Sequence, residues 1–160
     1  MAASSGKVVD LMRNIIAAGV KSNTFNRVLK GLMVTHGEPG RCVCEIKVCE
    51  EHTNSSGTLH GGFTATLVDI VSTTALFTTA ISARGSSVDM NITYIRPVKI
   101  GEEIIIDAKT LRSGRSLAFL TVDIMNKKDG SLVAQARHTK FIPKKEPPIP
   151  DTNELYYLVF

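Results

Sequence analysis

At 160 residues, 43% apolar and 21% charged, the chain has the length and composition of one globular domain with an ordinary core. The net charge of +4 suits an anionic ligand. No run of basic residues alternates with aromatics and there is no Trp, which argues against nucleic-acid binding.

Residues 8–20 carry apolar side chains at helical spacing (Val8, Leu11, Met12, Ile15, Ile16), and residues 25–29 read as a further helical turn. Lys7, Arg13, Lys21 and Arg27, opposed only by Asp10, give this stretch a slight likeness to a mitochondrial presequence. The same residues make an ordinary amphipathic helix, so the expected location is cytoplasmic, with mitochondrial as the alternative. Residues 32–36 and 41–50 read as a hairpin around Gly37-Glu38-Pro39-Gly40. The three cysteines, Cys42, Cys44 and Cys49, fall in its second strand and read as free thiols of a reducing compartment. Cys42 and Cys44 share a strand face with Ile46 and Val48 and serve the core. With no second pair at finger-like spacing, no metal is expected.

A loop holding Asn54 then leads into a long helix over 61–82. Its many Thr and Ser residues make it too polar to face lipid, so protein should enclose it. Four strands follow, over 87–94, 102–111, 117–126 and 132–142, with turns at Arg112-Ser113-Gly114-Arg115 and Lys127-Lys128-Asp129-Gly130. In the first of these, alternation sets Val88, Met90, Ile92 and Tyr94 on one face and Ser87, Asp89, Asn91 and Thr93 on the other. The order helix, two strands, long helix, four strands predicts an α+β fold in which an antiparallel sheet wraps one buried helix. Residues 1–30 form an N-terminal helical segment, 31–142 the domain, and 143–160 a Pro-rich tail ending in an apolar stub.

Between Glu51 and Arg84 the only formally charged residue is Asp69. A carboxylate on an enclosed helix needs partners, or its pKa rises. A role in chemistry and a role in local hydrogen bonding are both open on that basis. Upstream, Gly61-Gly62 opens the helix, whose first turn presents unpaired N–H groups with the positive end of the dipole behind them. That arrangement suits a developing oxyanion. No Ser-His-Asp nucleophile elbow is visible.

His52-Thr53-Asn54, Gly57-Thr58-Leu59-His60-Gly61-Gly62 and Thr64-Ala65-Thr66-Leu67-Val68-Asp69 together resemble the core of the hotdog-fold acyl-CoA thioesterases. Residues 87–94 and Ala136-Arg137-His138-Thr139-Lys140 resemble the same family, and the likeness runs from residue 25 to residue 140. It implies a hotdog fold and hydrolysis of medium- or long-chain fatty acyl-CoA, in fatty acid metabolism, without a cofactor. It assigns Gly61 and Asn54 to the thioester carbonyl oxygen, Asp69 as the base that activates water, and Ser87 as the group that orients it. His60 becomes a support for the turn and a neighbour of the substrate. Coenzyme A contacts map onto Tyr94, Ile95, Arg96, Pro97, Val98 and Lys99, and onto Arg112, Ser113, Gly114, Arg115, Ser116 and Leu117. Glu50 and Asp89 lie near them. Phe141 stands where the family carries a polar ring, which sets that contact apart.

Helix geometry adds a constraint on assembly. Gly61 and Asp69 are eight residues apart, about 12 Å along an α-helix, whereas a base should lie within about 3 Å of its water. The expectation is a two-fold dimer with antiparallel long helices and sites shared between subunits. The resemblance implies the same sharing, and pairing of dimers into homotetramers. The alternatives are a thioesterase for aromatic or short acyl groups and a non-catalytic acyl-CoA-binding protein. A hydratase of similar fold would want a His close after the Asp on the helix, and residues 70–80 contain none.

Overall fold

The computed structural model describes residues 5–79 and 85–143. The tail expected beyond 143, and the stretch around Ser82 where the long helix was expected to end, lie outside the described residues. Helix α1 (Ser5–Lys21) and a 3-10 turn (Phe25–Leu29) precede strands β1 (Met33–Glu38) and β2 (Arg41–Lys47). A second 3-10 turn (Glu50–His52) leads to helix α2 (Gly61–Phe77), followed by β3 (Ser86–Tyr94), β4 (Glu103–Ser113), β5 (Leu117–Asn126) and β6 (Leu132–Phe141). The six strands make one antiparallel sheet in the order β1-β2-β4-β5-β6-β3. This is the predicted α+β architecture of a sheet wrapped around one helix.

α2 lies mainly against β4 and β2. Leu67, Val68, Val71 and Ala75 meet Cys42, Cys44, Ile46, Ile104, Ile106 and Val122 in one buried cluster. The hydroxyls that make α2 polar in sequence are satisfied within it. Thr64, Thr66 and Thr74 each donate to the carbonyl four residues back, at 3.2, 2.9 and 2.8 Å, which lets a Thr-rich helix be enclosed at little cost. From Gly61 to Ile70, only the stripe Gly61, Gly62, Ala65, Thr66 and Asp69 escapes full burial.

Several boundaries differ from the sequence expectation. β1 runs on to Glu38, so Gly37 and Glu38 pair with Cys42 and Arg41 instead of standing in the turn. α2 stops at Phe77 because Thr78 and Thr79 turn both N–H and hydroxyl back onto the carbonyls of Ala75 and Leu76. β2 stops at Lys47, ahead of the 3-10 turn that begins at Glu50. β4 runs on through Arg112 and Ser113, since a register shift between Thr110 and Arg112 lets pairing with β5 continue.

α1 is not an appendage. Val8, Met12 and Ile16 belong to the same buried cluster as α2 and the sheet, and Met12 is fully covered. Met12→Ala should therefore cost about 2–5 kcal/mol, as a core truncation does, in urea unfolding monitored by circular dichroism. A loss below about 0.5 kcal/mol, the scale of a surface substitution, would show that the helix contributes nothing to the core.

Candidate active site

The N-terminus of α2 is built by its preceding loop. His60 caps the helix, its Nδ1 accepting from the Gly62 N–H at 2.9 Å, and its carbonyl accepts from Thr64 N–H at 2.9 Å. A Cβ at Gly62 would stand 3.0 Å from that Nδ1, so the second glycine is what lets the cap close. The Gly61 N–H is left without an acceptor among the described residues. Asn54 holds the loop. Its Oδ1 accepts from Ser56 N–H and Thr58 N–H, and its Nδ2 donates to Thr58 Oγ1 at 3.0 Å, which keeps one amide hydrogen available. Below it, buried His52 stacks on Phe63 with ring centroids 4.2 Å apart. Its Nδ1 accepts from Cys49 N–H, so Nε2 donates to the Val28 carbonyl at 3.1 Å.

Two turns along α2, Asp69 sits with its side chain 32% exposed. Its Oδ1 gathers every contact: Thr73 Oγ1 at 3.3 Å, Ser87 Oγ at 3.4 Å, Lys140 Nζ at 3.7 Å and His138 Nε2 at 3.8 Å. Oδ2 has no hydrogen-bond partner among the described residues, and Asp69 lines a recess of about 210 Å³ together with Phe25, Asn26, Ala65, Thr66, Ile70 and Met90.

Ser87 reaches Asp69 because of a bulge. The register of β3 on β6 shifts between Ser87 and Asp89, so Ser87 pairs with Lys140 while Asp89 pairs with Thr139. The extra residue puts Ser87 on the inner side with Met90 and Ile92, correcting the simple alternation that grouped it with Asp89, Asn91 and Thr93.

His138 and Lys140 are the site residues that residue-type reasoning missed. Both lie on the inward face of β6, in line with Ala134 and Ala136, and both are buried. That alternation was readable: a His and a Lys at inward positions of a strand are a signal in themselves. His138 Nδ1 bonds Ser72 Oγ at 2.8 Å and Nε2 bonds Ser87 Oγ at 2.9 Å. Burial, then the Lys140 charge, push its pKa down to about 4 against the pull of Asp69 and Asp89, so the ring is neutral at pH 7. A neutral ring carries one hydrogen. When that hydrogen is on Nε2 it goes to Ser87, freeing the Ser87 hydroxyl hydrogen for Asp69. Among the described residues, no group of three or more His, Cys, Asp or Glu is placed to hold a metal.

The segments expected to bind a coenzyme lie at opposite ends of the sheet. Tyr94–Lys99 is anchored at the N-terminus of α2. Tyr94 Oη donates to the Gly61 carbonyl at 3.2 Å, Ile95 and Arg96 donate to Val133, and Lys99 N–H donates to Glu102 Oε2 at 2.6 Å. Val98 is buried there, its carbonyl accepting from Leu59 N–H, while Arg96, Pro97 and Lys99 are exposed. Arg112–Leu117 turns at the other end, where Leu117 pairs with Phe141 and Phe141 with Ser86. The length of β3, about 27 Å by strand rise, separates them. Glu50 is exposed in the second 3-10 turn, and Asp89 is exposed on β3. One chain thus brings Asp69 and Ser87 together, and keeps Gly61 about 12 Å from Asp69 along an unbroken helix.

The family described as Thioesterase superfamily matches residues 56–133. Human acyl-coenzyme A thioesterase 13 is 53% identical over 131 residues, 82% of this chain and 94% of the relative. The crystal structure of zebra fish thioesterase superfamily member 2 is 49% identical, with a TM-score of 0.80 over 89% of this chain and 100% of that one. A hypothetical thioesterase of Streptococcus pneumoniae, solved with coenzyme A, is 25% identical with a TM-score of 0.67, over 72% of this chain and 91% of that one.

The depressed His138 pKa makes stability pH-dependent. Between the ordinary histidine value near 6.5 and the folded value of about 4, the unfolded chain takes up a proton that the native state refuses. Stability is then full above pH 6.5 and declines as pH falls towards 4. From pH 7 to 4.5 this residue should remove about 2–3 kcal/mol. Urea unfolding of wild type and His138→Gln across that range should show the variant's stability falling less by that amount. Equal slopes would mean that His138 is protonated in the folded chain.

Proposed function

The chain belongs to the thioesterase superfamily, and on that premise we propose that it is an acyl-CoA thioesterase in which Asp69 activates water. The observation that carries this reading is the asymmetry of the Asp69 carboxylate. Oδ1 is committed to Thr73, Ser87 and the two basic side chains, while Oδ2 has no partner among the described residues and Asp69 lines the recess. A general base needs one such free atom within reach of water and a second that fixes its direction.

In this reading Oδ2 takes a proton from water as the water oxygen attacks the thioester carbon, with Ser87 orienting that water. Negative charge grows on the former carbonyl oxygen, where Gly61 N–H and the spare Asn54 Nδ2 hydrogen receive it. Collapse breaks the carbon–sulfur bond, the sulfur leaves with the bonding electrons, and the proton held on Asp69 passes to it, which gives coenzyme A and restores the carboxylate. The acyl group departs as a free acid.

Because Gly61 and Asp69 of one chain are too far apart to serve one carbonyl, the site is assigned to two copies. One gives Asn54 and Gly61, and the other gives Asp69 and Ser87. The surface supports this. Among the described residues β3 is an edge strand paired with β6 alone, and it exposes Val88 and Tyr94 by 60% and 58% beside the α2 stripe that holds Asp69. An unpaired edge carrying exposed Val88, Met90 and Tyr94 calls for a cover, and a second copy of the same edge satisfies it with two-fold symmetry. Further pairing into a tetramer is part of the proposal. Arg96, Lys99, Arg112 and Arg115, all exposed, supply cations for the coenzyme phosphates, with the two segments drawn from different subunits. Phe25, Ala65, Ile70 and Met90 give the recess an apolar wall suited to a medium or long acyl chain.

Thiol release from acyl-CoA thioesters of increasing chain length tests the reading. Asp69→Asn keeps size and most hydrogen bonding but removes the basic oxygen, so kcat should drop roughly a hundredfold or more while acyl-CoA still binds. A variant that keeps most of its turnover would remove Asp69 from the mechanism. A wild type that binds acyl-CoA yet releases no thiol would leave it a binding protein.

A further inference from the structure

The mechanism above makes no use of Lys140, a lysine whose side chain is only 6% exposed. Lysine is seldom fully buried without a partner. Its Nζ donates to Thr73 Oγ1 at 2.8 Å, and the Thr73 hydroxyl, thus filled, sends its own hydrogen to Asp69 Oδ1 at 3.3 Å. The direct Nζ–Oδ1 separation is 3.7 Å. Nitrogen, hydroxyl and carboxylate therefore form a short ordered chain that ends on Oδ1.

The setting of β6 explains how the lysine comes to be there. Ala134 and Ala136 are small, so α2 packs closely along the first half of the strand. His138 and Lys140 continue the same inward face beside the one carboxylate of the helix. The other titratable groups facing this corner are His138, which is neutral at pH 7, and Asp89, which acts on His138 through its charge. The turn Phe25–Leu29 brings Phe25 and Asn26 to the recess, and its Arg27 is directed to the Thr24 carbonyl.

We propose that Lys140 is the counter-charge of Asp69, an ammonium group sealed behind α2 that keeps the carboxylate ionised and turned so that Oδ2 faces the substrate. The proposal rests on Asp69 being the base. Lys140 touches neither water nor thioester and is a positioning residue. Burial lowers its own pKa, and the attraction of Asp69 opposes that fall, as expected of two opposite charges that hold each other ionised. An opposite charge within about 4–6 Å favours the ionised form of a carboxylate. Removing it should raise the pH at which the enzyme begins to work.

Two measurements on full-length protein test this. In Lys140→Met, which keeps an unbranched chain without charge, the Asp69 carboxyl is titrated by carbon-13 NMR of labelled aspartate, with Asp69→Asn identifying the signal. That titration and the acid limb of the pH profile of kcat/KM should both move to higher pH than in the wild type. An unmoved carboxyl pKa overturns the proposal, because a purely structural lysine would lower the folded fraction without shifting the titration. If the NMR value rises but Asp69→Asn keeps full turnover, the counter-charge stands and the base assignment fails. The coupling is reciprocal, so Asp69→Asn should lower the Lys140 ammonium pKa, read at its Cε, by the same amount. This second titration decides the matter even if Lys140→Met does not fold, and an unchanged lysine pKa contradicts the proposal.

Discussion

A single carboxylate on an enclosed helix is the constraint from which the rest of this structure follows. α2 is 17 residues long, surrounded by sheet on most sides, and carries one formal charge. Such a charge survives only where solvent or partners answer it. Here both do so, in different directions. Oδ1 meets Thr73, Ser87, His138 and Lys140, and the partly exposed Asp69 side chain lines the recess. The inward answer requires β6 to end its buried face in two basic residues, and requires the bulge at the start of β3 that swings Ser87 inside.

The same helix sets the scale of the site. Because α2 is unbroken from Gly61 through Asp69, the N–H groups at its start and the carboxylate two turns later are held apart by helical rise. No side-chain rotation brings them to one carbonyl. On the proposed mechanism a second copy completes the geometry, and the exposed β3 edge beside the α2 stripe is the surface on which it would arrive. In this account the exposed apolar residues of β3, the small residues Gly62 and Ala65, and the opposite placement of Tyr94–Lys99 and Arg112–Leu117 have one common cause.

Much of this was legible in the residues. Periodicity gave the element order, and β5 matches its expected span while β6 stops one residue short, at Phe141. The unusual charge pattern singled out Asp69, and the paired glycines marked the helix start. The structure adds the reason for Gly62, which the His60 cap requires. Bulges were not legible, since a register shift is decided by pairing between strands and leaves no period in either one. That is why Ser87 seemed to belong with Asp89, and why Arg112 and Ser113 were placed in a turn rather than in β4. Lys140 and His138 were missed for another reason. Each looks ordinary alone; the readable signal was the alternation of β6, which sets both on the face of Ala134 and Ala136. Likewise Phe25 and Asn26, assigned by sequence to a separate N-terminal segment, reach the recess at Asp69 only through tertiary packing.

The central claim is that one site is made by two chains, and complementation measures it most directly. Asn54→Ala and Asp69→Ala should each be inactive. Co-expressed with different affinity tags and purified through both, they yield mixed dimers in which one of the two sites has Asn54, Gly61, Asp69 and Ser87 intact. The account predicts that these mixed dimers recover up to about half of the wild-type kcat per dimer, as expected for one working site of two. Verified mixed dimers as inactive as either parent would contradict it and return the base and the oxyanion donors to a single chain.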